Sequence, residues 1–186
     1  MQALWGRILA GEIKHPKSYS LRTLDVLRNL STDEAEVFIK FAQLRLVSSD
    51  KNIVFNQDDG AFLKNEFGIT FSDRLLLTEL GLIASENNLE FSFVEVKEKS
   101  VSLLVYGKKG IVLHRSENTP KQPIKVLLFT KIGVELSKLI EQTTNENYMN
   151  KVCSSFIIPN VRIETGDLIS YPDGQYSLLH PVEYNE

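Results

Sequence analysis

The sequence lacks the features on which secretion, membrane insertion and disulfide bonding depend. Cys153 is its one cysteine, so no internal disulfide can form and a reducing compartment, the cytoplasm, is expected. No uncharged apolar run approaches the roughly 20 residues that cross a bilayer, so we expect no membrane partner. The opening residues also lack a charged and then apolar leader, which favours a protein that is not secreted.

An excess of one sign of charge is missing as well. The formal net charge is -3, with 21 basic and 24 acidic residues, and there is neither a polybasic tail nor an acidic tract. An overall basic footprint for nucleic acid is therefore absent, which leaves only a local basic patch as an option. The 42% of hydrophobic residues is close to the average for globular proteins, so a proper core is expected.

Residues for catalysis and metal binding are equally sparse. The three histidines, His15, His114 and His180, lie in different segments, and His15 has no other ligand at metal spacing. Residues 107–110 (Gly-Lys-Lys-Gly) are too short for a phosphate-binding loop and predict a tight β-turn. No serine lies in a nucleophile-elbow context. We therefore expect no enzyme activity, no metal, no cofactor and no small-molecule ligand.

Three amphipathic helices are predicted in a helical segment over residues 1–46. In the first, Leu4, Trp5 and Ile8 fall on one face. No capping residue precedes Leu4, so we expect a further segment before it. Ser18 or Ser20 caps the second helix, whose predicted inward face holds Leu21, Leu24, Leu27 and Leu30. Ser31 and Glu34 form a capping box for the third, predicted to bury Ala35, Phe38, Ile39, Ala42 and Leu46.

This helical segment resembles an uncharacterised bacterial family, a domain of unknown function. The residues that carry the resemblance are Leu-Trp-x-x-Ile-Leu-Ala-Gly-Glu at 4–12, Ser-x-Arg-Thr-Leu at 20–24 and Leu-Ser-x-x-Glu-Ala-x-x-Phe at 30–38. In such proteins a further amino-terminal segment precedes this region. The same helices are similar to proteins associated with phage abortive infection. Neither resemblance implies a catalytic residue.

Residues 47–142 are predicted to form a winged-helix-like α+β core. A strand at 52–55, helices at 59–67 and 73–80, and alternating strands between 89 and 129 follow one another, and Ser72 is expected to cap the second helix. Leu-x-x-Leu-Gly-Leu-Ile at 77–83 and Phe-Thr-x-x-Gly-x-x-Leu at 129–136 resemble phrases of winged-helix regulators. In that fold the first phrase ends the recognition helix and the second opens the closing helix, with a β-wing between them.

The helix at 73–80 is poorly suited to reading DNA. Base recognition needs Arg, Lys, Asn or Gln with basic neighbours, and this helix offers only Arg74 beside Asp73 and Glu79. It is either a core helix or one face of a protein interface. The predicted turns do carry a basic cluster, whose members are the candidate nucleic-acid contacts: Lys97, Lys99, Lys108, Lys109 and Arg115.

Residues 143–186 are predicted to form a short helix plus a β-hairpin, packed on the core. The helix runs from Tyr148 to Phe156 and contains Cys153, which is expected to be buried. Strands are predicted at 161–164, 167–171 and 175–179, and a Pro-Asp-Gly turn joins the last two into a hairpin. They either extend the central sheet or cap it. The fold class is therefore α+β, with an amino-terminal helical segment, a winged-helix-like core with antiparallel β-hairpins and a β-rich carboxy-terminal tail.

The composition and motifs together favour a bacterial, non-enzymatic module for protein interaction, regulation or scaffolding. Leu4, Trp5 and Ile8 are the candidate contacts to a protein partner or a second copy, because aromatic anchors are enriched at interfaces. The alternative is a winged-helix-type nucleic-acid-binding protein that uses the lysines of its turns and is linked to phage defence. The salt dependence of binding distinguishes the two functions, since phosphate contacts weaken steeply with ionic strength and apolar docking does not.

Overall fold

The computed structural model describes residues 19–85, 89–93, 98–171 and 175–185. Within these ranges the helices are α1 (Leu21–Asn29), α2 (Thr32–Ala42), α3 (Ala61–Phe67), α4 (Phe71–Glu79), α5 (Lys131–Ser137) and α6 (Glu146–Ser154). The strands are β1 (Leu46–Ser48), β2 (Lys51–Phe55), β3 (Leu89–Phe93), β4 (Ser100–Tyr106), β5 (Lys109–Arg115), β6 (Gln122–Leu128), β7 (Val161–Ser170) and β8 (Tyr176–Glu183). No helix in the described part of the chain is long and apolar enough to cross a membrane.

A single antiparallel sheet of eight strands unites the middle and the carboxy-terminal parts of the described chain, in the order β3-β6-β2-β1-β4-β5-β7-β8. β7 pairs with β5 from Arg115↔Val161 to Lys109↔Asp167, so the carboxy-terminal strands extend the central sheet. The predicted α+β class is confirmed. The helices and this sheet share a core that includes residues from α1 through β7.

The caps of α1 and α2 follow the local sequence signals. Ser20 caps α1 by accepting the N–H of Thr23. Ser31 and Glu34 make the reciprocal bonds of the predicted capping box. Because backbone N–H groups at a helix start have no partner within the helix, short polar side chains at these positions satisfy them.

Four predictions about the helices are wrong. Leu21 is 85% exposed and Ile39 is 40% exposed, because neighbouring elements cover narrower faces of α1 and α2 than helical spacing suggested. Leu46 is buried, but as the first residue of β1, since α2 ends at Ala42. Thr70, and not Ser72, caps α4: its extended backbone lets it exchange hydrogen bonds with Asp73, while Ser72 is already helical.

The two faces of β4, β5 and β7 differ in burial. One face belongs to the core, and its fully or nearly fully buried residues are Leu104, Tyr106, Ile111, Leu113 and Ile163. Tyr148 of α6 packs on this face, with its ring 5.2 Å from that of Tyr106. The residues that alternate with the buried ones along the strands lie on the opposite face. There Leu103 and Val112 are half-buried and Val101 is 66% exposed. This outer face is therefore apolar without being closed off from solvent.

Glu135 of α5 fixes the start of α1. Its Oε2 accepts the backbone N–H of Ser20 at 2.8 Å and the hydroxyl of Thr23 at 2.6 Å. Burial acts to raise the pKa of this carboxyl, but the hydrogen bonds from Thr23 and Ser20 outweigh it and lower the pKa below its ordinary 4.5. The ionised carboxylate therefore contributes to the stability of the fold.

Replacing this carboxylate, Glu135→Gln, is expected to lower the free energy of unfolding by about 1–2 kcal/mol near neutral pH. Since the native pKa lies below the unfolded one, this contribution is present above pH 4.5 and is lost as the pH falls through the lower native value. Urea unfolding of both proteins at several pH values measures the difference. Glu79→Gln, at an exposed position of α4, is the control and should change little. A difference that persists unchanged in acid would contradict the assignment.

Candidate interaction surface

Exposed apolar side chains concentrate on the hairpin of β7 and β8. Of eleven large hydrophobic residues that are exposed within the described chain, five lie on this hairpin: Ile169, Tyr171, Tyr176, Leu179 and Val182. We call these five residues the hairpin surface; Ile169, Tyr171 and Leu179 lie on one face of the hairpin and Tyr176 lies on the other. Their exposed fractions range from 36% for Ile169 to 64% for Val182. Clustered apolar exposure of this kind marks binding surfaces more often than scattered single residues do.

The topology explains why three of these residues, Ile169, Tyr171 and Tyr176, are exposed, while Leu179 and Val182 lie on the edge strand β8. The ladder between β5 and β7 ends at Asp167, whereas β7 and β8 continue to pair as far as Ser170↔Tyr176. The end of the hairpin therefore extends past the last residue of β7 that pairs with β5. Tyr171 donates its N–H to the carbonyl of Gln175 at 2.9 Å, and its hydroxyl lies 3.0 Å from Ser177 Oγ.

This part of the chain is also almost uncharged. Between Asp167 and Glu183 the sequence contains one Asp, Glu, Lys or Arg residue, Asp173. Edge strands of natural sheets usually carry charged residues that discourage pairing with another chain. The hairpin surface lacks this protection over most of its length.

A polar cluster lies beside the apolar part of the outer sheet face. His114 of β5 contacts Glu164 of β7, with 2.6 Å between Nε2 and Oε2, and Arg162 pairs with the other carboxylate oxygen. The hydrogen bond from His114 lowers the pKa of the Glu164 carboxyl, against the opposing effect of burial. Both side chains thus contact the same carboxylate. Within the described residues, no three His, Cys, Asp or Glu side chains gather to hold a metal ion.

The candidate nucleic-acid contacts do not form one patch in the described structure. Lys99 and Arg115 lie at one end of the β4–β5 hairpin, and Lys108 and Lys109 at the other. Seven-residue strands separate the two ends by roughly 20 Å. Lys109 Nζ is 2.9 Å from a carboxylate oxygen of Asp167, and Arg115 donates to Ser102 Oγ. Lys97 lies outside the described residues.

The helix that matches the first winged-helix phrase presents an apolar face. Phe71 and Leu75 of α4 are 62% and 49% exposed, while Leu77 is fully buried. Arg74 is 5.6 Å from the ring centre of Phe71 and donates to the carbonyl of Asp59. Its guanidinium is therefore held against its own chain rather than presented to a phosphate.

Cys153 does not provide a reactive group. Cys153 is fully buried, as predicted, and burial raises the pKa of its thiol to about 12. A thiol with that pKa is protonated at neutral pH and inert as a nucleophile. Leu4, Trp5 and Ile8, the candidate partner contacts, lie outside the described residues.

Comparison with known proteins identifies a family without a known activity. Residues 1–153 match the model of a family described as a protein of unknown function, DUF2806. The chain belongs to this family. No curated protein and no solved structure matches the chain. The part of the DUF2806 chain that matches ends at Cys153, before the first residue of β7.

The sequence contains a signal for the hairpin surface that periodicity alone did not reveal. The Pro-Asp-Gly turn between 167–171 and 175–179 predicted the hairpin, but it could not show that the end of the hairpin extends past β5. The nearly uncharged stretch between Asp167 and Glu183 is the signal that distinguishes this hairpin from an ordinary solvated one.

Proposed function

We propose that this DUF2806 protein is a non-enzymatic module for protein interaction or scaffolding, and that the hairpin surface is its contact site. The observation that carries the proposal is the concentration of exposed apolar residues on an almost uncharged hairpin at the edge of the sheet, whose end extends past β5. Two of the five residues, Tyr171 and Tyr176, are tyrosines, which are enriched at protein interfaces.

The electrostatics of the described residues support this proposal over the alternative of nucleic-acid binding. Four of the five basic candidates are described, and they divide between two ends of one hairpin. Lys109 is already paired with Asp167. The exposed residues of α4 include Phe71 and Leu75, whose apolar side chains offer neither charge nor a hydrogen bond to a phosphate backbone. A winged-helix function is therefore the second choice, and a regulatory role with a protein partner is the first.

Site-specific photo-cross-linking in cells tests the proposal. A photoreactive amino acid replaces Tyr176, which is 55% exposed, or Phe71, an equally exposed aromatic residue on α4 that serves as the matched control. We expect a discrete protein adduct from position 176 and none from position 71. Mass spectrometry then identifies the adduct as a second copy or another protein. No adduct from position 176, or the same adducts from both positions, would overturn the assignment of the contact site.

A further inference from the structure

We infer that the protein pairs with a second copy of itself through the outer edge of β8, over residues 176–180, so that two sheets become continuous. This inference rests on the proposed function, because it names the partner of the hairpin surface. Three observations carry it: the position of β8 at the edge of the sheet formed by the described strands, the near absence of charge, and the position of Pro181.

The register of the hairpin shows which backbone groups point outward. Tyr171 and Gln175 are hydrogen-bonded to each other, so the N–H and C=O groups of residues 177 and 179 face β7. Both groups of Tyr176 and Leu178, and the N–H of His180, then face away from it, whereas the positive φ of His180 turns its own carbonyl out of the extended direction. β8 is the last strand of the sheet, so these groups lie on its edge. They form a template to which another strand can pair.

Pro181 limits the length of this template. Proline has no N–H to donate, and it follows a bulge at which His180 takes a φ of 48°. The pairing segment is therefore residues 176–180. An antiparallel pair with a two-fold axis at Leu178 uses all three outward positions, since Tyr176 of each copy then lies opposite His180 of the other.

The charge of the segment favours a second copy as the partner. In a two-fold pair each residue meets a residue of the same segment, so a charged strand would bring like charges together. Residues 176–180 carry no Asp, Glu, Lys or Arg. A charged peptide would find no complementary charge here, whereas an identical uncharged strand fits. Leu179, Ile169 and Tyr171 would then lose part of their exposed apolar area to the second copy.

Sedimentation velocity of the whole chain, from low to high micromolar concentration, tests the pairing. A five-residue edge with its flanking side chains makes an interface at the small end of the usual range, about 1,200 Å² or less, so we expect a dimer that forms reversibly with concentration. The double variant Tyr176→Lys/Leu179→Lys should remain monomeric at every concentration. Val101→Lys, at a 66% exposed position of β4, is the control and should dimerise like the wild type. Both sites are exposed, and thermal unfolding checks that each variant folds.

A disulfide tests the register. With the axis at Leu178, the two copies of that residue are opposite each other at about 5.5 Å between Cα atoms, within the range that a disulfide spans. Leu178→Cys should therefore form a covalent dimer under mild oxidation, and Val101→Cys should not. Cys153 does not interfere because it is fully buried. If the Leu178→Cys chain dimerises in sedimentation but forms no disulfide under mild oxidation, pairing through β8 in this register is contradicted.

The two proposals fail in different ways. A wild-type chain that is monomeric at the highest concentration overturns the second copy as partner. If position 176 still cross-links to another protein, the proposed function stands with that protein as partner. If position 176 gives no adduct and the chain is monomeric, both proposals are wrong.

Discussion

Gly133→Ala is expected to lower the free energy of unfolding by about 2–4 kcal/mol, because a methyl group there has no space. A Cβ atom at Gly133 would lie 2.0 Å from the carbonyl oxygen of Leu82 and 3.1 Å from the ring of Phe129. The carbonyl cannot easily move, since it accepts the N–H of Thr130. Urea unfolding measures the loss. In a helix with open space at this position, the same substitution would stabilise the protein. The sign of the change in the free energy of unfolding therefore shows whether Gly133 lies close to the Leu82 carbonyl.

Gly68→Ala is the matched control. Gly68 has a φ of 62° but open space around its Cα, so alanine should cost only the left-handed backbone strain, about 1–2 kcal/mol. Gly133 lies in α5 without such a φ, and its cost is purely steric. A smaller loss for Gly133→Ala than for Gly68→Ala would contradict the packing of α5 on Leu82.

The packing at Gly133 explains the residue types of the two segments that resemble winged-helix regulators. The hydroxyl of Thr130 donates to the carbonyl of Gly81 at 2.5 Å, and Ile83 forms a bridge with Phe129. The two phrases, at 77–83 and 129–136, are therefore in direct contact. Thr130 also caps α5 by accepting the N–H of Gly133. The residue types of both segments are therefore those that this contact within the core requires.

Local signals in the sequence predicted local structure well. The capping box at Ser31 and the strand alternation of β4 and β5 depend on neighbours within a few residues, and the structure contains both. Ser72 was a plausible cap, but Thr70 has the same chemistry two positions earlier and the extended backbone that a cap needs. Boundaries of this kind depend on small differences between adjacent polar residues.

Contacts between residues far apart in the sequence could not be predicted from local patterns. Glu135 is an unremarkable acid in the sequence, yet it meets Ser20 and Thr23 more than a hundred residues away. The pairing of Lys109 with Asp167 follows from the strand order, which no local pattern specifies. The hairpin surface was missed for the same reason, because the exposure of Ile169, Tyr171 and Tyr176 depends on where β5 ends and that of Leu179 and Val182 depends on β8 being the last strand of the described sheet.

Tyr148→Ala is expected to cost about 3–5 kcal/mol, because Tyr148 joins several elements at the centre of the core. It is fully buried, and its ring lies 5.2 Å from Tyr106 and 6.0 Å from Phe67, measured between ring centres. Its hydroxyl accepts the N–H of Phe55 at 2.9 Å, at the end of β2. Burial raises the pKa of this phenol, so the hydroxyl stays neutral and available as an acceptor. Denaturant unfolding of the variant measures the loss.

Tyr148→Phe separates the hydroxyl from the ring. It keeps the packing but leaves the N–H of Phe55 without its acceptor, which should cost about 1–3 kcal/mol. Tyr106→Phe is the comparison, since its hydroxyl accepts the N–H of Asn145 in a less buried position and its loss should cost less. If Tyr148→Phe were as stable as the wild type, the hydrogen bond to Phe55 would contribute nothing, and packing of the ring alone would hold α6 on the sheet.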